Sequence, residues 1–162
     1  MKRIIFIFVT FICNYSFAQN LPRFDDIKLE QASDYKSADT FALQASTYLL
    51  STPYEKDDLT RLKSTQFMIR WMTGTPDYTF SLDEVAGKII KGNDDLLTLY
   101  MAAMTKYCLE NKASSKDKKL IRLNAIILLI NYCENKDNNM KMTKQLTKLS
   151  EAKDKGQLEQ SL

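Results

Sequence analysis

Apolar residues recur along most of this chain at the three-and-four spacing of amphipathic helices, and strand-like alternation is scarce. Ser37 reads as the N-cap of a helix to Leu50, with Phe41, Ala45, Tyr48 and Leu49 on one face. Thr52-Pro53 ends it, because a residue before proline is pushed out of helical geometry. Asp57 or Asp58 opens a second helix through LTRLKSTQFMIRWMTG. There Lys63, Gln66, Arg70 and Thr73 share one polar sector, while Phe67, Met68, Trp71 and Met72 lie outside it. Gly74 fits the left-handed residue just past that helix, with Pro76 preventing its continuation.

Ser81 and Glu84 have the spacing of a capping box and start a short helix to about Lys91, stopped at Gly92. Asn93 to Asp95 cap the next, which reaches roughly Asn111, and Ser115 or Asp117 begins another to about Glu134. Within it, Ala125 to Ile130 are continuously apolar and need cover on most sides. Asn124 and Asn131 share a stripe that is either a thin solvent line or a polar contact to a neighbouring helix. A last helix is expected near Asp137 to Ala152, with Met142, Leu146 and Leu149 facing inward.

The pattern thus predicts an all-α protein of about six helices, as a compact bundle or as three stacked hairpins starting near residues 37, 82 and 117. Residues 19–36 read as an extended lead-in, 37–153 as a single helical domain and 154–162 as a frayed tail.

The first 18 residues stand apart from this pattern. Lys2 and Arg3 precede the apolar run Ile4 to Ile12, and Ser16-Phe17-Ala18 supplies small residues before a cut between Ala18 and Gln19. The run is well short of the ~20 residues of a membrane-spanning helix. Ile12 before Cys13 does not suit a lipoprotein signal. The expectation is an exported protein, periplasmic or secreted, with no transmembrane span in its mature chain.

Cleavage alters the charge balance, because the formal +3 of the whole chain includes Lys2 and Arg3. Residues 19–111 hold 10 basic and 14 acidic side chains, and residues 112–162 hold 11 and 6. Nucleic acid is not implied by so small a net charge. The basic C-terminal third is either a solvated lysine face or a contact to an acidic partner.

The absence of histidine excludes Ser-His-Asp and Cys-His catalysis and histidine-based metal sites. No glycine-rich phosphate loop occurs, and no cofactor is implied. Cys108 and Cys133 fall about 20 Å apart on an antiparallel hairpin at 1.5 Å per residue, far beyond the ~7 Å that a disulfide tolerates. Paired methionines such as Met101 and Met104 suit a soft metal ion, but at helical spacing they read first as core filling. The carboxylate pairs Asp57-Asp58, Asp83-Glu84 and Asp94-Asp95 could serve hydrolysis, yet all sit at helix starts, where capping accounts for them. Trp71, Asp77 and Tyr78 remain as the candidate ligand site: aromatic surface beside a turn with a charge. Its structural counterpart is a packed corner in which Asp77 caps its own turn.

The signal ending Phe17-Ala18-Gln19, with YLLSTP at 48–53, FMIRWMTGTPDYTF at 67–80 and MTKYCLEN at 104–111, resembles small exported helical proteins of Bacteroidota without an assigned function. The resemblance spans most of the mature chain. It implies an envelope or secreted location and one helical domain, and it carries over no catalytic residue. The expected function is a non-enzymatic helical domain binding an envelope protein or peptide. A small-ligand binder with its pocket near Trp71 and Tyr78 is the alternative, and a carboxylate-based hydrolase comes third.

Overall fold

A computed structural model describes residues 21–162, so the expected signal segment and its expected Ala18–Gln19 cut lie outside the described residues. Among the described residues there are seven α-helices and no strand. They are α1 (Ala32–Ser37), α2 (Asp39–Ser51), α3 (Leu59–Gly74), α4 (Glu84–Ile90), α5 (Asp95–Glu110), α6 (Lys118–Glu134) and α7 (Lys144–Asp154). None of these helices is long and apolar enough to cross a membrane.

Helix α5 is the hub of a helical bundle, packing against α2, α3, α4 and α6. Its buried set, including Leu96, Leu99, Tyr100, Ala102, Ala103, Met104 and Cys108, runs round much of its circumference. Ala42, Ala45 and Ser46 are buried on α2, and such small side chains let packed helix axes approach closely. The helices therefore gather round one shared core rather than stacking as three equivalent hairpins: α2 with α3 and α5 with α6 are close pairs, and α2 also lies along α5. Within the apolar run of α6, Ala125, Ile126, Leu129 and Ile130 are buried. On its polar stripe, Asn131 accepts from Lys153 of α7 and Asn124 donates to the Leu120 carbonyl of its own helix.

Several local expectations are corrected. The lead-in is not simply extended: Phe24–Asp26 is a 3-10 turn whose Phe24 ring stacks 4.7 Å from Phe67, and α1 already begins at Ala32. Asp34 causes that early start, its carboxylate accepting from the Glu30 and Gln31 amides. Ser37 ends α1 instead of capping α2.

Gly74 is not left-handed; only Gly92 and Gly156 among the described glycines have positive φ. A Cβ on Gly74 would lie less than 3.0 Å from the Oη, Cζ and Cε1 atoms of Tyr35, so its lack of a side chain admits α1 against the end of α3. Ser81 does not cap α4; Asp83 does, accepting from the Ala86 amide. Helix α7 starts at Lys144, not near Asp137, because Asn139 is left-handed at φ 54° and Asn138 is held by the Tyr132 carbonyl.

The C-terminus is docked rather than frayed. Gly156, at φ 68°, donates to the Lys153 carbonyl and Gln157 donates to that of Ala152, closing α7 with a Schellman motif. The reversed chain buries Leu158, and Arg122 donates to the Leu162 carbonyl.

Candidate functional site

Trp71 is fully buried, its indole N–H donating to the Tyr35 carbonyl at 3.1 Å. Tyr78 and Phe80 cover it with ring centroids 5.5 and 5.9 Å away. Asp77 points outward and pairs with Lys36 at 3.1 Å. The structure therefore brings Trp71 and Tyr78 together as a filled aromatic corner and sets Asp77 in a surface ion pair. Behind them Asp39 is nearly buried, 4.0 Å from Lys112, with Oδ1 lacking a hydrogen-bond partner. Burial raises the Asp39 pKa, and burial followed by the Asp39 and Asp77 charges pushes the Tyr78 phenol up to about 12.

Two of the three suspected carboxylate pairs find local uses, while Asp94 at the start of α5 makes no side-chain cap bond among the described residues. Asp58 caps α3 by accepting from the Thr60 and Arg61 amides and also from the Tyr48 hydroxyl. Asp83 caps α4 and pairs with Arg122 at 2.8 Å. Cys108 and Cys133 are free and buried, and burial pushes their thiols up to about 11 and about 12. Such thiols stay protonated and behave as small apolar groups. Among the described residues, no three acidic or cysteine side chains are grouped closely enough to hold a metal ion.

The molecule opens elsewhere. A cleft of about 970 Å³ lies between the C-terminal end of α4 and the N-terminal half of α7. One wall carries Lys88, Lys91, Gly92 and Asn93, and the other Lys141, Lys144, Gln145 and Lys148. Tyr54, Asp95, Met140 and Met142 complete it. Its size is at the upper end of the ~300–1,000 Å³ typical of ligand sites.

Each wall has a local cause. Gly92, left-handed at φ 93°, turns the chain off α4, and Asn93 then donates to the Lys141 carbonyl at 2.8 Å. Thr143 caps α7 by accepting from the Leu146 amide, and its hydroxyl donates to the Ile89 carbonyl at 2.6 Å. These two bonds stitch the segment before α7 to the end of α4. Tyr54 is fixed from behind: its amide donates to the Asn138 carbonyl, and the Arg61 guanidinium lies 5.4 Å from its ring centroid. Arg61 is itself buried, donating to the Leu49 and Thr52 carbonyls.

Five lysines against the single carboxylate of Asp95 make this cleft strongly positive. Lys88 pairs with Glu84 at 2.7 Å. Lys91, Lys141, Lys144 and Lys148 have no carboxylate at ion-pair distance among the described residues. Sequence reasoning missed this site. Its trace in the sequence was the basic C-terminal third, but Lys88 and Lys91 join it from the acidic part of the chain.

Comparison with known proteins finds no matching family model, no matching curated protein and no matching solved structure.

Proposed function

We propose that this chain is an exported, non-enzymatic helical domain of the cell envelope, periplasmic or secreted, that binds a protein or peptide partner in the α4–α7 cleft. The observation that carries the binding site is the concentration of unpaired lysines around an open space. A buried or paired lysine belongs to the fold; four that share a concavity, with no ion-pair partner among the described residues and only Asp95 beside them, form a positive field that an approaching anionic partner meets first. The filled corner at Trp71 argues against a small-ligand pocket there. The uses of Asp58 and Asp83 as helix caps weaken the hydrolase reading. Export is supported by Lys2, Arg3, the apolar run after them and the Ser16-Phe17-Ala18 junction.

The test compares capture from a native envelope extract by the tagged chain and by its Lys91→Glu/Lys144→Glu/Lys148→Glu variant, each checked for native melting. Partners recovered by the first and lost by the second support the cleft. Equal recovery by both refutes it. An N-terminus at Gln19 in the exported protein is the expected mark of cleavage, and retention of Met1 in the cytoplasm would defeat the export reading.

A further inference from the structure

The segment forming the floor of this cleft differs from the helices beside it. Residues 139–143 have no regular secondary structure. Among the described residues, the amides of Met140, Lys141, Met142 and Thr143 donate to no backbone acceptor, and the Met140 and Met142 carbonyls accept from no backbone amide. The segment is nonetheless held in place at its middle, by Asn93 on the Lys141 carbonyl, and at its C-terminal end, by Thr143 on the Ile89 carbonyl. A fixed, non-helical strip of unpaired backbone suits a second extended chain, which can pair with it through main-chain hydrogen bonds.

The side chains around the strip set the second requirement. Lys88 and Lys91 stand on one side and Lys144 and Lys148 on the other, with the partly exposed apolar surfaces of Met142 and Tyr54 between them and Met140 buried beneath. Successive side chains of an extended peptide point to opposite faces, so one chain can offer carboxylates to the lysines and an apolar group to Met142 and Tyr54. Methionine adapts to varied apolar shapes. The wall has no arginine, whose planar fork is the usual grip on a phosphate; lysine attracts as a point charge. Asp95 in the same wall further disfavours a dense polyanion.

From this juxtaposition we infer that the cleft takes an extended acidic peptide segment: its backbone lies along residues 139–143, its carboxylates meet Lys91, Lys144 and Lys148, and an apolar side chain rests on Met142 and Tyr54. This inference rests on the cleft being the binding site and adds the chemistry of what enters it.

The experiment uses the purified chain and a short fluorescent peptide of glutamates around a central leucine, followed by anisotropy. Parallel arms use the glutamine version, a version N-methylated at alternate backbone amides, inorganic phosphate, a sulfated glycan, and vesicles of phosphatidylglycerol. Binding of the glutamate peptide is expected to weaken at least about tenfold in the glutamine version, in the N-methylated version, and in the Lys91→Glu/Lys144→Glu protein. The charge-reversed protein should instead bind a lysine–leucine peptide, which separates lost charge from lost fold.

Equal affinity for the N-methylated peptide, or displacement by phosphate or the glycan at matched concentration, would overturn the peptide inference in favour of a free anion. Preference for the vesicles would overturn it in favour of a membrane surface. If the glutamate peptide does not bind while charge reversal still abolishes envelope capture, the acidic-peptide chemistry fails and the cleft reading stands. If charge reversal changes neither, both fail.

Discussion

Gly74→Ala tests the packing of α1 on α3 through the sign of one substitution. Gly74 lies in the last turn of α3 with ordinary negative φ, where alanine is favoured over glycine by up to ~1 kcal/mol. Judged by helix propensity alone, the change stabilises. The new methyl, however, would fall well inside contact distance of the Oη, Cζ and Cε1 atoms of Tyr35. Carbon atoms pack at ~3.5–4.0 Å, so the ring must swing aside. That movement breaks the 3.2 Å bond from the Tyr35 hydroxyl to the Leu29 carbonyl, worth ~1 kcal/mol. It also strains the residue whose carbonyl accepts from the buried Trp71 indole. Forced overpacking generally costs ~1–3 kcal/mol. The clash should therefore prevail, leaving Gly74→Ala destabilised by about 1–2 kcal/mol in the native background. In a Tyr35→Ala background the obstruction is gone, and the same substitution should stabilise by ~0.5–1 kcal/mol. Urea denaturation of the four proteins measures both numbers, provided the slope stays constant across them. A Gly74→Ala effect of the same sign and size in both backgrounds would refute the account.

Arg61→Met should lower stability by ~1–3 kcal/mol in the same assay, because it leaves the Leu49 carbonyl without its donor near the end of α2, while the Thr52 carbonyl keeps the Tyr132 hydroxyl at 2.8 Å; Arg61→Lys should recover only part of this, lacking the second donor arm. Asp39→Asn should raise the melting temperature at neutral pH. An acid whose folded pKa is raised binds its proton more tightly when folded, so it contributes stability below its unfolded value of ~3.9 that is lost as pH rises through the folded one. The advantage of the asparagine variant should therefore shrink as pH falls towards 4, and a pH-independent difference in melting temperature would contradict the burial argument. Gly156→Ala should cost ~1–2 kcal/mol, because φ 68° is left-handed, and should speed amide exchange in residues 156–162; unchanged exchange would mean that the tail docks without its Schellman turn.

What the sequence revealed follows the range of the forces involved. Asp58 and Asp117 cap their helices through bonds to amides two and three residues ahead, so their roles could be read locally. Ser81 met the same local rule and lost to Asp83, whose carboxylate also reaches Arg122, 39 residues further on. Gly74 obeyed a C-cap pattern, but its purpose is contact with Tyr35. The last helix was placed too early because residues 136–138 form a separate 3-10 turn, in which the Asn138 carbonyl accepts from the Tyr54 amide and its side-chain amide donates to the Tyr132 carbonyl. The all-helical class survives such errors because the apolar spacing is repeated in every element. The Trp71 corner was legible as core from its own composition, while the tie from Asp77 to Lys36 spans 41 residues. The cleft was the least legible feature, since it joins residues 88–95 to residues 139–148.

The uneven charge of the chain takes on a more specific meaning once its basic residues are sorted by contact. Lys153 is occupied by Glu134 and Asn131, and Lys112 approaches Asp39. Arg122 joins Asp83 to the chain end. These cations hold elements together. Lys141, Lys144 and Lys148 hold nothing comparable, and packing brings them near Lys88 and Lys91, so that like charges crowd one cavity. The start of α7 adds to the tension, because a helix N-terminus favours anions and α7 has no acid in its first turn. At α3 and α6, which likewise have no acid in the first turn, an aspartate is the N-cap, whereas the cap of α7 is the neutral Thr143. Stability alone would favour an acid at position 144. Lys144→Glu should therefore melt slightly higher than the parent chain while binding an anionic partner more weakly, the opposition expected where a site is kept at some cost to the fold. If Lys144→Glu lowered the melting temperature, the lysine would have a structural role, and the crowding would no longer point to a partner.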